Sequence, residues 1–269
     1  MPDILCPTCG AALTLGSRQW LCPKGHCFDV ARQGYVNLLP VTQKHSLHPG
    51  DTREQVVARR TFLEAGFYEP LAQAVCQAAR RYGKNAKAIL DAGCGEGYYS
   101  AQIARALPRA ALYGLDISKD AVRLAAGRYK SGTWICGTAA HLPFPSGSLD
   151  LILSMFALTV PEEFHRVLTP GGVYLQVLAA EDHLLGLKKI IYPELLRRQK
   201  DVSPDLPGFA LVERRPISFS FTVEGPQIQN LLAMTPHFWR ITREGAQRLA
   251  ALSCLTDRAS AVLCVYRPV

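Results

Sequence analysis

The stretch AKAILDAGCGEGYYSAQIARAL, residues 86–107, decides which fold the sequence predicts. AILDAG is typical of a buried parallel strand, GCGEGYY of a glycine-rich turn, and SAQIARAL of the start of a helix. A strand, a loop and a helix N-terminus in this order form the cradle of nucleotide-binding α/β sheets. Gly93, Gly95 and Gly97 would let a ligand approach the backbone of this cradle closely.

The acidic residues around the cradle indicate the kind of ligand. AALYGLDIS predicts a second strand that ends at Asp116, where a carboxylate can accept hydrogen bonds from ribose hydroxyls. Asp91 precedes the loop and Glu96 lies within it, and no basic residue in the loop would meet a diphosphate. Carboxylates repel phosphate groups and attract a cationic ligand, so we expect S-adenosylmethionine rather than a nicotinamide dinucleotide.

The later segments continue the alternation of strands and helices. SKDAVRLAAGRY predicts a helix with Ser118 as its N-cap, and TWICGTAAHLPFPSGSLDLILSMFAL predicts a strand, a loop and a further strand. RVLTPGGVYLQVLAA predicts a helix end, a turn and a strand, while ISFSFTVEG and SAVLCVYRPV suit antiparallel edge strands. The pattern predicts an α/β fold with a doubly wound, parallel sheet.

Two pairs of metal-ligating residues lie near the start of the chain. Cys6 and Cys9 form one pair, and Cys22 and His26 form the second. Cys27 competes with His26 as the fourth ligand, and we favour His26 because CPKGH places its imidazole at the spacing of a tight turn. The alternative is a set of buried cysteines without a metal, but so short a segment usually needs a metal ion to fold. Four protein ligands leave no open position, so we expect a structural Zn²⁺.

The bulk composition limits the class of protein. The 269 residues are 48% hydrophobic, yet no apolar run approaches the roughly 18 residues that span a membrane, and the first residues do not resemble a signal peptide. The nine cysteines suit reduced thiols, so we expect a cytoplasmic protein without a membrane partner. The net charge of +8 suits a polyanionic partner, although it equally suits a solvated basic surface. Basic residues cluster at 80–87, 188–189, 197–200 and 213–215.

Nearly the whole chain resembles the bacterial 23S rRNA (guanine-N1)-methyltransferases. The motifs that carry this resemblance are CPTCG, CPKGHCFDVARQGYVNLLP, GDTREQVVARRTFLEAGFYEPL, ILDAGCGEGYYS, YGLDIS, LPFPSGSLD, RVLTPGG and MTPHFWR. The resemblance implies a class I (Rossmann-like) methyltransferase sheet with a small N-terminal zinc-knuckle domain. It also implies S-adenosylmethionine as cofactor, a 23S rRNA hairpin as substrate and a homodimer.

The resemblance assigns roles to individual residues. It places the zinc ligands at Cys6, Cys9, Cys22 and His26. Together with the acids and glycines of the cradle, it gives a predicted cofactor site of Tyr68, Asp91, Gly93, Gly95, Glu96, Gly97, Asp116 and His183. Thr138 and Ala139 would flank the adenine. The chain departs from the family at Ala157-Leu158-Thr159, where members commonly have Ala-Pro-Cys, Ala-Pro-Arg or Ala-Pro-Asn beside the target base.

Two domains joined by a linker are expected. Residues 1–38 would form a zinc-binding module for RNA recognition, 39–60 a linker, and 61–269 the methyltransferase domain. The Pro, Gly, His and Ser content of the linker suits a connecting segment.

Methylation of guanine N1 requires loss of a proton from a base held outside its stack. The candidates to accept this proton are Glu181, Asp182 and His183, in AAEDHL at the carboxyl edge of the sheet. Alternatively, Glu181 and Asp182 only cap the following helix, so the general base stays unassigned. The aromatic side chains that could stack on the base are Tyr98, Tyr99, Phe156 and Trp239.

Two other functions compete with rRNA methylation. The chain could be a class I methyltransferase of a small metabolite, with the zinc knuckle as a protein-docking module. It could also be a nucleic-acid-binding protein without activity, although the intact cradle argues against this alternative. Methylation of unmodified ribosomal RNA with a labelled donor distinguishes among these three.

Overall fold

The computed structural model describes residues 2–43, 49–194 and 205–269. Part of the predicted linker, 44–48, and the predicted basic run at 197–200 lie outside these residues. The described chain forms a four-stranded antiparallel sheet near its start and an eight-stranded sheet flanked by helices. Among the described helices, none combines the length and the apolar character needed to cross a bilayer.

The strands are β1 (Ile4–Leu5), β2 (Ala12–Leu15), β3 (Gln19–Leu21), β4 (Cys27–Asp29), β5 (Tyr35–Asn37), β6 (Ala88–Ala92), β7 (Ala111–Asp116), β8 (Gly132–Cys136), β9 (Leu149–Met155), β10 (Leu168–Ala179), β11 (Phe209–Glu224) and β12 (Cys254–Pro268). The helices are α1 (Arg53–Glu64), α2 (Glu69–Tyr82), α3 (Tyr98–Ala106), α4 (Lys119–Arg128), α5 (Pro161–Val167), α6 (Leu185–Ile191), α7 (Pro226–Ala233) and α8 (Arg243–Ala250). Ser118 caps α4 as predicted, because its side chain accepts a hydrogen bond from the Ala121 N–H.

The large sheet has the order β11-β12-β10-β9-β6-β7-β8-β5. The strands from β10 to β5 in this order are parallel to their neighbours, whereas β12 runs antiparallel to both β10 and β11. The predicted α/β class with a doubly wound, mostly parallel sheet is therefore confirmed. One detail differs from the prediction: of the two predicted edge strands, β11 lies at an edge of the sheet, whereas β12 lies inside it.

Both faces of the sheet are covered, by different kinds of structure. Neighbouring residues on β6 alternate between two hydrophobic clusters: Ile89 belongs to one and Leu90 to the other. The cluster of Ile89 receives apolar side chains from α1, α2, α3, α4, α6, α7 and α8. Among the described residues, the cluster of Leu90 is completed by α5 and by side chains of the small sheet, including Ile4 and Leu13. The zinc-knuckle segment thus covers part of a face that helices cover elsewhere.

The predicted zinc module and the predicted linker each contain an element that belongs to the large domain. β5 falls within the predicted module 1–38, but it pairs with β8 in the large sheet. α1 begins at Arg53, inside the predicted linker 39–60, after a capping box formed by Thr52 and Gln55. The small sheet is also bonded to the large domain, because the Leu5 N–H donates to the Pro143 carbonyl at 2.9 Å.

Candidate functional site

Two turns of the small sheet bring four metal-ligating side chains together. Cys6 and Cys9 lie between β1 and β2, while Cys22 and His26 lie between β3 and β4. Their ligand atoms all lie within 4.8 Å of one another, with 3.4 Å between the Cys9 and Cys22 sulfurs and 3.6 Å from Cys6 Sγ to His26 Nδ1. A tetrahedral Zn²⁺ with ordinary bond lengths separates its ligand atoms by about 3.5–3.8 Å. The four residues therefore fit a closed zinc site.

The competing ligand, Cys27, lies outside this cluster. Its side chain is exposed, and its thiol donates to the Gly25 carbonyl at 3.8 Å. Inside the cluster, burial opposes ionisation of Cys22, but hydrogen bonds from His26 and from the Lys24 N–H lower the pKa of its thiol to about 6. The thiolate is the form that binds a metal ion.

The cradle follows β6 and tolerates only glycine at its ends. Gly93 and Gly97 have φ angles of +87° and +84°, which side chains with a Cβ rarely adopt. A Cβ on Gly93 would lie 2.5 Å from the Ala157 Cβ, and one on Gly97 would lie 2.8 Å from the Trp134 ring. Any larger residue would strain the loop and displace its neighbours.

Asp116, at the end of β7, holds the middle of the cradle. One carboxylate oxygen accepts the Gly95 N–H at 2.9 Å, and the other accepts the Ser118 N–H at 2.8 Å. A carboxylate oxygen accepts more than one hydrogen bond, so Asp116 keeps lone pairs for a ribose hydroxyl. The structure thus brings the predicted residues Gly95 and Asp116 into direct contact.

Two further carboxyl groups lie buried beside the loop with unused oxygens. Asp91 is 1% exposed and accepts a hydrogen bond from the Ser100 hydroxyl at 2.5 Å. Glu96 is 3% exposed, and among the described residues neither its Oε2 nor the Asp91 Oδ1 has a hydrogen-bond partner. Burial, with the neighbouring negative charges, raises the pKa of each group to about 7. A ligand with an ammonium group would satisfy these oxygens, so the cradle fits S-adenosylmethionine.

Tyr68 and His183 meet on one side of the cradle. Tyr68 immediately precedes α2 and packs among Phe62, Phe219 and Phe221. Its hydroxyl lies 3.4 Å from His183 Nε2. Burial raises the pKa of Tyr68 far above its usual range, so the phenol stays protonated and can donate to the imidazole.

Phe156 lies at the end of β9 in a strained conformation. Its φ is +54°, which is rare for an aromatic residue, and its side chain is 40% exposed. Its ring centre lies 5.6 Å from that of His183, and the next residue, Ala157, is the one that a Cβ on Gly93 would strike. Strain of this kind is common at functional sites, and here it presents an aromatic ring beside the cradle.

The acids before His183 do not cap α6. Asp257, on β12, accepts the N–H groups of Gly186 and Leu187 and thereby satisfies the start of this helix. Glu181 and Asp182 are exposed, and Asp182 accepts a hydrogen bond from the Ser260 hydroxyl at 3.0 Å. The alternative that these two acids cap the helix is wrong.

The remaining predicted residues are dispersed around the site. Thr138 and the exposed His141 line a cavity of about 350 Å³ between the first metal-binding turn and the large sheet. Trp239 is 66% exposed, so it is not part of the core. Tyr98 and Tyr99 are partly buried and pack against the hydrophobic core, which leaves Phe156 and Trp239 as the exposed aromatic candidates.

One basic residue at the cradle was missed from the sequence. Arg59, on α1, points its Nη1 atom to within 3.7 Å of where a Cβ on Gly95 would lie. The composition of the loop could have indicated it: the loop has acidic residues but no basic one, so a basic residue from another segment is expected beside it. Because Arg59 precedes the loop by more than thirty residues, only the fold brings the two together.

Two known family models match the chain. A zinc-ribbon family model described as RlmA, N-terminal matches residues 4–47, and a methyltransferase domain model matches residues 89–172. The first match contains the four clustered metal ligands, and the second contains the cradle and Asp116.

Curated relatives match almost the full length. The chain is 33% identical to a Micromonospora griseorubida protein described as a candidate 23S rRNA (guanine-N(1)-)-methyltransferase, over 100% of this chain and 98% of that protein. It is 33% identical to the 23S rRNA (guanine(748)-N(1))-methyltransferase of Streptomyces fradiae, over 98% of this chain and 96% of the relative. A Bacillus subtilis (strain 168) protein, also described as a candidate 23S rRNA (guanine-N(1)-)-methyltransferase, is 30% identical over 89% of this chain and 88% of that protein.

The identity of the fourth zinc ligand can be tested by substitution. We expect Cys27→Ser to retain one zinc ion per chain, because this thiol lies outside the cluster, and His26→Ala to lose most of its zinc. Each variant is passed through gel filtration in a buffer that contains a weak chelator, and elemental mass spectrometry then measures its zinc content. If His26→Ala retained its zinc and Cys27→Ser lost it, Cys27 would be the fourth ligand instead.

The buried carboxyls predict how stability depends on pH when no donor is bound. Asp91 and Glu96 keep protons in the folded state up to a pKa of about 7, whereas the unfolded chain loses them near 4. The stability from protonation is therefore complete below pH 4 and is lost as pH rises through 7, by on the order of 3–4 kcal/mol for each group. Urea unfolding from pH 5 to 8 measures this slope.

Asp91→Asn should reduce this slope by about half, because Glu96 still titrates, and the exposed control Glu54→Gln should leave it unchanged. An unchanged slope in Asp91→Asn would mean that Asp91 is already ionised in the folded protein at pH 5.

Proposed function

The chain belongs to the family of 23S rRNA (guanine-N1)-methyltransferases, and from this premise we propose that it methylates N1 of a guanine in a 23S rRNA hairpin. It is a methyltransferase that uses S-adenosylmethionine and carries a structural zinc ion. The names of the relatives state the same reaction for those proteins, and this chain covers nearly their whole length.

The observation that carries the proposal is the exposed ring of Phe156 beside the donor cradle. An enzyme that modifies a base ring must take the base out of its stack and offer it another surface. Aromatic side chains provide such a surface to any base, at about 1–3 kcal/mol for each base. Phe156 is partly exposed, and the residue that follows it, Ala157, packs closely against Gly93 of the cradle. This position favours a nucleobase as the acceptor.

The chemistry depends on alignment and on removal of one proton. S-adenosylmethionine, when bound, supplies an electrophilic methyl group. Asp91 and Glu96 offer buried oxygens to its ammonium group, while Asp116 offers lone pairs to its ribose. Phe156 would fix the plane of the guanine, which remains unreactive at N1 until its proton leaves.

His183 is the best placed of the three candidates for the departing proton. It contacts both Tyr68 and Phe156, whereas Glu181 is exposed and Asp182 is directed to Ser260. With its hydrogen on Nδ1, donated to the Ser260 carbonyl at 2.9 Å, the imidazole accepts at Nε2, where the departing proton would replace the long hydrogen bond of 3.4 Å from Tyr68. We infer that this neutral imidazole lies beside N1 of the target base.

The zinc module would extend the RNA-binding surface. Arg18, Lys24 and Arg32 are exposed on it, where they can contact phosphates. The basic run at 213–215 has a different role, because Arg215 donates to the Ala74 carbonyl and holds β11 against α2. RNA binding that depends on phosphate contacts should weaken steeply with salt.

The homodimer and the cytoplasmic location belong to the same proposal. A dimer whose two zinc modules flank a shared cleft follows from the family resemblance, and the cytoplasm is where bacterial ribosomal RNA is made. Both stay predictions.

The proposed reaction is tested with labelled donor and unmodified 23S rRNA. We expect one methyl group per hairpin transcript, and reverse transcription should stop at the product, because N1-methylguanine cannot form a Watson–Crick pair. The position of the stop identifies the guanine. Methylation of a small metabolite with none in RNA would support the competing function, and failure to bind the donor would exclude both.

Phe156→Ala tests the stacking role. Loss of the ring should lower kcat/KM for the RNA by on the order of 10- to 100-fold, since stacking contributes about 1–3 kcal/mol. The affinity for S-adenosylmethionine should change by less than about threefold. Leu211→Ala, which removes an exposed apolar side chain from β11, is the control. An equal loss of donor affinity would show that Phe156 shapes the donor site rather than the base site.

A further inference from the structure

The amino-acid end of S-adenosylmethionine poses a charge problem for this cradle. It carries an ammonium group and a carboxylate, so its site must offer both kinds of partner. Asp91 and Glu96 suit the ammonium group, but the loop from Gly93 to Gly97 contains no basic residue. A carboxylate placed beside these acids would be repelled unless another element supplies a cation.

Arg59 is the cation that the fold supplies. Its side chain leaves α1 and is 26% exposed, and its Nη1 atom lies over Gly95 in the middle of the cradle. Its charge faces the carboxyl groups of Asp51, Glu96 and Asp116. The guanidinium therefore lies between the acids of the donor site and solvent.

The guanidinium is held at one end and unused at the other. Its Nη2 atom forms an ion pair with Asp51 at 2.5 Å and donates to the Met234 carbonyl at 3.2 Å. Within residues 2–43, 49–194 and 205–269, Nη1 forms no hydrogen bond. Two fixed partners orient the planar fork and leave the donor over the cradle available, as in sites that bind carboxylates.

We propose that Arg59 binds the carboxylate of the methionine end of S-adenosylmethionine and so fixes this end of the donor in the cradle. The overall charge agrees with this role. The charges of Asp51, Glu96 and Asp116 act on this one guanidinium, and the donor brings a net positive charge. Arg59 thereby selects a ligand with a free amino-acid end over one that lacks the carboxylate.

The proposal predicts that loss of Arg59 weakens binding only of a donor that carries the carboxylate. Titration calorimetry would compare S-adenosylmethionine with decarboxylated S-adenosylmethionine, which keeps the ammonium and sulfonium groups. The zinc-loaded full chain should bind the first more tightly, by on the order of 10- to 100-fold, the contribution expected of a hydrogen bond between charged groups. Arg59→Met should weaken binding of S-adenosylmethionine by about this factor and leave the decarboxylated ligand nearly unchanged.

Two further variants separate the role of the guanidinium from that of its charge and from effects of any substitution in α1. Arg59→Lys keeps the charge but lacks the fork, so it should recover part of the preference for the carboxylate. Arg53→Met removes an exposed arginine from the same helix and should change neither affinity. Thermal unfolding of each variant checks that it is folded before titration.

The outcomes separate this proposal from its alternatives. Equal weakening of both ligands by Arg59→Met would overturn it and make Arg59 a structural residue that holds Asp51 and Met234. Unchanged binding of both would also overturn it. Because the titrations contain no RNA, they succeed or fail independently of the proposed 23S rRNA substrate.

Discussion

The hydrogen bond from the Gly95 N–H to the Asp116 carboxylate is the contact on which the donor site depends. It joins the loop after β6 to the end of β7, so the cradle and the Asp116 carboxylate hold a fixed spacing. The second oxygen of Asp116 accepts the Ser118 N–H, and the Ser118 side chain caps α4. A single carboxylate therefore orders the loop, the strand end and the start of the next helix.

That constraint extends to the segment that precedes the methyltransferase sheet. The Ser118 hydroxyl donates to the Asp51 carbonyl at 2.7 Å, and the Asp51 side chain holds Arg59 over the cradle. The Met234 carbonyl, between α7 and the exposed Trp239, accepts from the same guanidinium. One basic residue thus joins the cradle to the segment that leads to Trp239, a candidate to stack on the target base.

The zinc-binding segment has a structural role besides any contact with RNA. Ile4, Cys6 and Leu13 belong to the same hydrophobic cluster as Leu90 of the central strand. The Leu5 N–H bonds to Pro143, and the Tyr113 hydroxyl bonds to the Pro2 carbonyl at 3.3 Å. A sheet this small buries too little surface to fold alone, so the metal ion and the large domain stabilise it together.

The sequence by itself determined the features that depend on neighbouring residues. The spacing of Cys6, Cys9, Cys22 and His26, the cradle and the Ser118 cap are all local patterns, because short turns and strand ends restrict which residues can occupy them. The class of the sheet followed from the alternation of such segments.

Only the tertiary structure decided which distant residues share the site. It placed Arg59 over Gly95, gave the cap of α6 to Asp257 instead of Glu181 or Asp182, and moved β5 from the expected zinc module into the large sheet. The physical reason is the same each time. These contacts join segments far apart in the chain, and their geometry is set by strand order and helix packing, which local sequence patterns do not encode.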